Sequence, residues 1–352
     1  MTDKVLGSKR LEYIDAMRGF TMLLVVYSHI SYAGFGIQDF SVVNSFNAFF
    51  CQFRMPLFFF VSGFVLYKAN QILDLKNSLV FIAKKFKVQI ISTLLFLGLF
   101  SYIFNLSFVD ALINDSHKQG FWFTLTLFEF FVLYVIFNKI IEWLKSSWIY
   151  DVLLLVIGFG LYAAALEVYN TSSISSNTIV SCLGLIHLRY FIFFVVGIIA
   201  KRNWEHLKSL FNNSIFTGIN ILVFFILGVV ALKKHVFYSA DVVIAITGIL
   251  TIFALFYKYQ DAFTTETKAG RILQYIGKRT LDIYLLHYFF LPRNLGMVGE
   301  WFIKNDNPTL EFFASLALAT LVVALCLVVS NIIRVSPLLA NWLLGVKMAK
   351  KQ

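Results

Sequence analysis

Apolar stretches about as long as a bilayer is thick recur along this chain from end to end, and they leave it few ways to fold. A helix needs roughly 20 apolar residues to cross the hydrocarbon core. Stretches at about 14–34, 46–67, 88–106, 121–141, 148–167, 181–200, 213–232, 239–258, 275–291 and 310–333 meet or approach that length. Lipid offers backbone N–H and C=O groups no water, so segments of this kind span as helices. Composition agrees: only 14% of residues are charged, where a soluble domain carries roughly a quarter. The expected fold is therefore all-α, a polytopic integral membrane protein with about ten transmembrane helices. A cytoplasmic N-terminal segment at 1–13, a membrane domain at 14–335 and a basic tail at 336–352 complete the expected organisation. Asp3, Glu12 and Asp15 precede the first apolar run and no small-x-small cleavage site follows, so that run reads as a retained helix.

Orientation follows from the basic residues. Placing the N-terminus in the cytoplasm puts twenty-three of the thirty Lys and Arg on the inner side and five outside, with Arg54 and Arg189 inside helices. Both termini are then cytoplasmic, and the net charge of +11 is a topology signal directed at anionic lipid or a polyanionic ligand rather than at nucleic acid. The inner set includes Lys4, Lys9, Arg10 and Arg18, a loop bearing Lys84 and Lys87, Lys145, and Lys347, Lys350 and Lys351 of the tail. Cys51, Cys182 and Cys326 are too few and too apolar in context for a disulfide framework or zinc site, and no metal is expected. Nucleotide-binding and zinc-protease strings are absent.

Ionisable residues inside a bilayer are costly and usually face a cavity or a partner. In the first helix Arg18 and His29 are eleven residues apart, about 20° past three full turns, so they share a face with His29 about 16 Å further out. Asp15 lies one turn below Arg18, at a spacing that lets the two pair. Two readings of this stripe stand side by side. Arg18 can be a topology anchor and His29 an interhelical hydrogen bonder; or His29 can be a base that activates a hydroxyl, with Arg18 a cation for a phosphate-bearing ligand. The second helix carries Arg54 beside Pro56, which reads as a kink, and Ser62-Gly63, which suits close packing. In the ninth, His287 lies about 12 Å above Arg279, near the depth of His29, with Tyr284 and Thr280 on the same stripe. Those two histidines suggest one polar chamber. Glu129, two turns beyond Trp122, is placed to pair with Arg54 or Arg189, while His117, His206 and His235 read as solvated loop residues.

The segments "YIDAMRGFTMLLVVYSHI", "FRMPLFFFVSGFVL", "GFWFTLTLF", "LRYFIFFVVGIIAKR" and "IGKRTLDIYLLH" together resemble, in order, the helix signatures of the acyltransferase-3 family of bacterial membrane acyltransferases. That resemblance implies transfer of an acyl group, usually acetyl, from cytoplasmic acyl-CoA to a hydroxyl of a cell-surface or exported carbohydrate. It implies an inner-membrane location and no bound cofactor, with acyl-CoA, the carbohydrate and membrane lipid as partners. The family's catalytic histidine falls on His29 and its paired arginine on Arg18, with Asp15, Tyr284, His287 and Arg54 in support. Trp122, Glu129 and Arg189 are expected to line the acceptor chamber. The family's basic R-x-x-R is present only as Lys84-x-x-Lys87, which would hold phosphate less tightly than paired guanidinium groups. A transporter or flippase using the same buried groups is the competing class, and the lack of internal repeats or Gly/Pro-broken helix pairs argues against it.

Overall fold

The computed structural model describes residues 11–37, 45–68, 75–144, 147–171, 174, 177–234 and 241–346. Lys4, Lys9, Arg10, Lys145, His235, Lys347, Lys350 and Lys351 lie outside the described residues. The described residues are 86% helical, with no strand among them. Among the described residues six helical stretches are long and apolar enough to cross a membrane: Ser45–Leu66, Lys76–Ile103, Trp122–Ile140, Trp148–Asn170, Ser214–Ala231 and Pro308–Val335.

Of the ten expected spans, the first, sixth, eighth and ninth fall outside these six, being polar, short or broken. The first is α1 (Glu12–His29), continued by a π-helical turn at Ile30–Gly34; Glu12, Asp15, Arg18 and His29 dilute its apolar character. The second divides into α2 (Ser45–Cys51) and α3 (Arg54–Leu66). Pro56 sits in the first turn of α3, where its missing N–H costs no bond, so the interruption falls at residues 52–53 rather than at a mid-helix kink. The third begins well before the expected residue 88: α4 (Leu75–Lys85), a π segment at Phe86–Ile91 and α5 (Ser92–Ile103) run on without a break. Lys84 and Lys87 are thus helical residues, not loop residues. Charged residues spaced along an amphipathic turn mask its helical character in a search for apolar runs.

The short α6 (Phe108–Ile113) leads to α7 (Trp122–Ile140) and α8 (Trp148–Asn170). The sixth expected span is α9 (Thr178–Leu183), a 3-10 stretch at Leu185–Tyr190 and α10 (Phe191–Arg202), divided at Gly184, whose φ of 60° ends the first piece. Next come α11 (Trp204–Asn212), which carries an exposed His206, then α12 (Ser214–Lys234) and α13 (Asp241–Lys258). The ninth span is α14 (Lys268–Gly277) and α15 (Thr280–Phe290), interrupted at residues 278–279. The chain closes with α16 (Gly296–Asn305), α17 (Pro308–Val335) and α18 (Pro337–Leu343).

Two compact units divide these elements. One comprises Met1–Arg54, Glu205–Thr280 and Asn294–Val323; the other comprises Met55–Trp204, Leu281–Arg293 and Ala324–Gln352. Each has a crossing built on glycine. In the first unit a Cβ on Gly19 of α1 would lie 2.0 Å from the Leu273 carbonyl oxygen, and one on Gly277 of α14 would lie 1.8 Å from that of Asp15. In the second unit Gly63 of α3 and Gly197 of α10 face the Phe194 and Phe60 carbonyls in the same reciprocal way. Small residues that let backbones touch are the usual device for packing helices where lipid removes the hydrophobic drive. A buried Asp282 in the second unit accepts hydrogen bonds from Ser330 at 2.5 Å and Arg334 at 2.6 Å, which fixes α17 against the start of α15.

Candidate functional site

In the first unit the polar centre is the α1 stripe. Most of α1 is buried, yet Arg18 and His29 keep partial exposure. The glycine crossing with α14 brings Arg18 to the 278–279 interruption, where its Nη2 donates to Thr280 Oγ1 at 2.9 Å. Asp15, 4% exposed, stands 4.0 Å from the guanidinium, the pairing expected from the spacing. At the other end of the helix His29 is the last α-helical residue before the Ile30–Gly34 π turn. The second π segment, Phe86–Ile91, holds Lys87. π turns are rare and often mark functional sites, and both of these adjoin residues nominated from sequence. Arg54 belongs to this unit and donates to Asn47 Oδ1 at 3.3 Å.

Sequence reasoning missed Glu311 of α17. It is fully buried and accepts hydrogen bonds from Tyr27 at 3.2 Å and Ser315 at 2.7 Å. The usable signal was Glu311 and Ser315 at i, i+4 in an otherwise apolar run.

The second unit builds its centre around residues 112–122. Lys118, Gln119 and Gly120 all have positive φ, of 51°, 52° and 99°. Two successive non-glycine residues in that region are strained, and such strain persists only when the surroundings over-determine it. Here they do. Lys118 is buried and its ammonium donates to the Leu112 and Ser181 carbonyls at 2.6 and 2.7 Å. Burial lowers its pKa below the ordinary lysine value, against the opposing pull of Cys182, Asp115 and Glu129. Gln119 donates through its backbone N–H and its side chain to Asp115. Tyr284 and Tyr288 both donate to the Gly120 carbonyl, at 2.8 and 3.0 Å, and Tyr284 Oη accepts the Phe123 N–H at 3.0 Å. The ninth-span tyrosine is therefore tied to the loop backbone.

This loop delivers Trp122 to the head of α7. The indole stacks on His187 at 4.0 Å between centroids and 15° between planes, and on Tyr190 at 5.5 Å. His117 meets His187 edge-on at 5.1 Å. Arg189 lies over the rings of Tyr190 and Tyr169. Glu129, two turns along α7, leaves Oε2 buried with no hydrogen-bond partner. His287 is fully buried, with Nδ1 against the Ile283 and Tyr284 carbonyls at 3.1 and 2.8 Å; carbonyls only accept, so Nδ1 carries the proton. Lys84 is exposed, whereas Lys87 donates to Asn341 at 2.5 Å and lies over the Trp342 ring.

A helical chain with six described stretches long and apolar enough to span a bilayer reads as a multi-pass membrane protein. The family model described as an acyltransferase domain matches residues 11–330, and the chain belongs to that family, acyltransferase-3: it is a membrane acyltransferase. No curated protein and no solved structure matches it.

Proposed function

We propose that the protein transfers an acetyl group from cytoplasmic acetyl-CoA to a hydroxyl of a cell-surface or exported carbohydrate in a bacterial inner membrane, with His29 as general base. The observation that carries this reading is on α1: along a helix otherwise largely buried, Arg18 and His29 stay accessible on one face. Arg18, held by Thr280 and near Asp15, meets the phosphates of the donor, with Lys84 and Lys87 as further cations; Asp15 orients the guanidinium. His29 Nδ1 or Nε2 takes the acceptor hydroxyl's proton as its oxygen attacks the thioester carbonyl. The C–S bond then breaks, and the CoA thiolate leaves and takes up a proton. Arg54 stabilises the oxyanion formed on the way, since His287 spends its one ring proton on the Ile283 and Tyr284 carbonyls and Tyr284 its hydroxyl proton on that of Gly120. Trp122, Glu129 and Arg189 receive the acceptor. Both termini lie in the cytoplasm, and about ten helical segments cross or enter the bilayer.

The test uses detergent-purified protein, radiolabelled acetyl-CoA and surface glycan extracted from the source cells. Wild-type protein should move label into glycan, and His29→Ala should lose about 10²–10⁴-fold in rate while eluting and melting as wild type does. Turnover by the variant within a few-fold of wild type would remove His29 as the base.

A further inference from the structure

His187 is 1% exposed, and its two ring nitrogens are treated unequally. Nε2 lies 3.0 Å from the Ser116 carbonyl oxygen. A carbonyl only accepts, so Nε2 carries the proton and Nδ1 presents a bare lone pair. That Nδ1 is buried and has no hydrogen-bond partner. Buried acceptors without partners are rare and call for an explanation.

The surroundings define what could supply the missing donor. His117, which meets the ring edge-on, and Arg189 and Lys118 all stand close enough for their charges to act on the imidazole. A cationic donor would be repelled there, and a carboxylate or phosphate has no proton to give. A neutral hydroxyl fits. Trp122 stacks on one face of the imidazole and is itself only half-buried, so part of an indole stays open next to the histidine. A neutral hydroxyl donor with an indole close by suits a sugar. The loop supplying Ser116 and Trp122 is also the strained one, held by Lys118, Asp115, Tyr284 and Tyr288, and strain of that kind gathers at ligand clamps.

We propose that His187 Nδ1 accepts a hydrogen bond from a non-reacting hydroxyl of the acyl acceptor, with Trp122 as the flanking ring face, so that this corner is a sugar-hydroxyl subsite. The proposal rests on the acyl-transfer reading above. His187 binds and orients; it takes no proton.

The experiment compares His187→Gln and His187→Asn with wild type in the labelled-acetate assay, varying the source-cell glycan and the acetyl-CoA separately. Glutamine keeps a donor for the Ser116 carbonyl but loses the acceptor at the Nδ1 position, whereas asparagine restores an oxygen there. For His187→Gln the glycan concentration giving half-maximal rate should rise about tenfold, the loss of one hydrogen bond to a ligand hydroxyl, with the half-saturating acetyl-CoA unmoved. For His187→Asn it should stay within about threefold of wild type. An unmoved glycan value in His187→Gln, or equal shifts for both substrates, overturns the subsite. Should His187→Gln not fold, His187→Asn decides alone, and a tenfold glycan shift there overturns it. Wild-type protein that labels no glycan would sink the acyl-transfer reading itself, and the subsite with it.

Discussion

Replacing Gly277 by alanine should loosen the contact that sets Arg18 in place. The added Cβ would sit 1.8 Å from the Asp15 carbonyl oxygen and 3.0 Å from the Gly19 nitrogen. An ordinary carbon–oxygen contact is no closer than about 3.2 Å, so α1 and α14 must separate by more than an ångström or bend. The obstacle is main chain on both sides, and no side chain can rotate to absorb it. Overpacking of this kind costs about 1–3 kcal/mol, a fall in melting temperature of roughly 1–4 °C for a chain this size. The separation would also stretch the 2.9 Å bond from Arg18 to Thr280, so half-saturating acetyl-CoA should rise together with the loss of stability. Thermal unfolding in detergent, followed by intrinsic fluorescence, reads the first effect, and the transfer assay reads the second. Gly160→Ala is the control: nothing lies within 4 Å of its added Cβ, and alanine in a helix interior is worth up to about 1 kcal/mol over glycine, so it should melt at or above wild type. A Gly277→Ala protein that melts with wild type and keeps its acetyl-CoA dependence would refute the backbone-contact argument.

Arg18→Lys should raise half-saturating acetyl-CoA about tenfold without loss of insertion, since an ammonium cannot grip phosphate bidentately; an unchanged value returns Arg18 to the role of topology anchor. Tyr284→Phe should cost about 1–3 kcal/mol of stability by orphaning the Phe123 N–H. Reduced turnover at an unchanged melting temperature would instead mark the hydroxyl as an oxyanion donor. Lys118 is held below the ordinary lysine value when folded, so between that value and about 10.5 the unfolded chain binds the extra proton. Wild-type stability should therefore gain with rising pH through that window relative to Lys118→Met, and parallel melting curves for the two proteins would contradict the assignment.

The sequence made the first helix legible because a 3.6-residue period ties Arg18 to His29 whatever surrounds them. It also showed the long apolar helices, since their length is a property of the run itself. What stayed hidden depends on partners. Glycines 19 and 277 look alike in a sequence until the backbones they admit are seen, and the strain at Lys118 and Gln119 is invisible without the carbonyls that hold it. Lys84 and Lys87 read as loop residues because a pattern of apolar runs passes over an amphipathic turn. His187, at the margin of a span divided by Gly184, offered no periodic signal at all; its bare nitrogen follows from a carbonyl 71 residues away in the chain.

The π turn at Ile30–Gly34 also makes the chain beyond His29 tolerant of a one-residue change in length. Such a turn accommodates an additional residue in the helical ladder, closing i→i+5 bonds. Phe35 N–H donates to Ile30 O at 2.9 Å in this way, and the Phe35 ring then meets Phe302 at 5.2 Å while its carbonyl fits against Gly299. Deleting one residue from the turn would let the ladder close as ordinary α-helix at little backbone cost. Four residues closing an α turn sweep about the same angle as five closing a π turn, so Phe35 would still face both partners and His29 would keep its place. In a comparison of family members, one-residue gaps here should therefore leave Phe35, Gly299, Phe302 and the histidine unchanged.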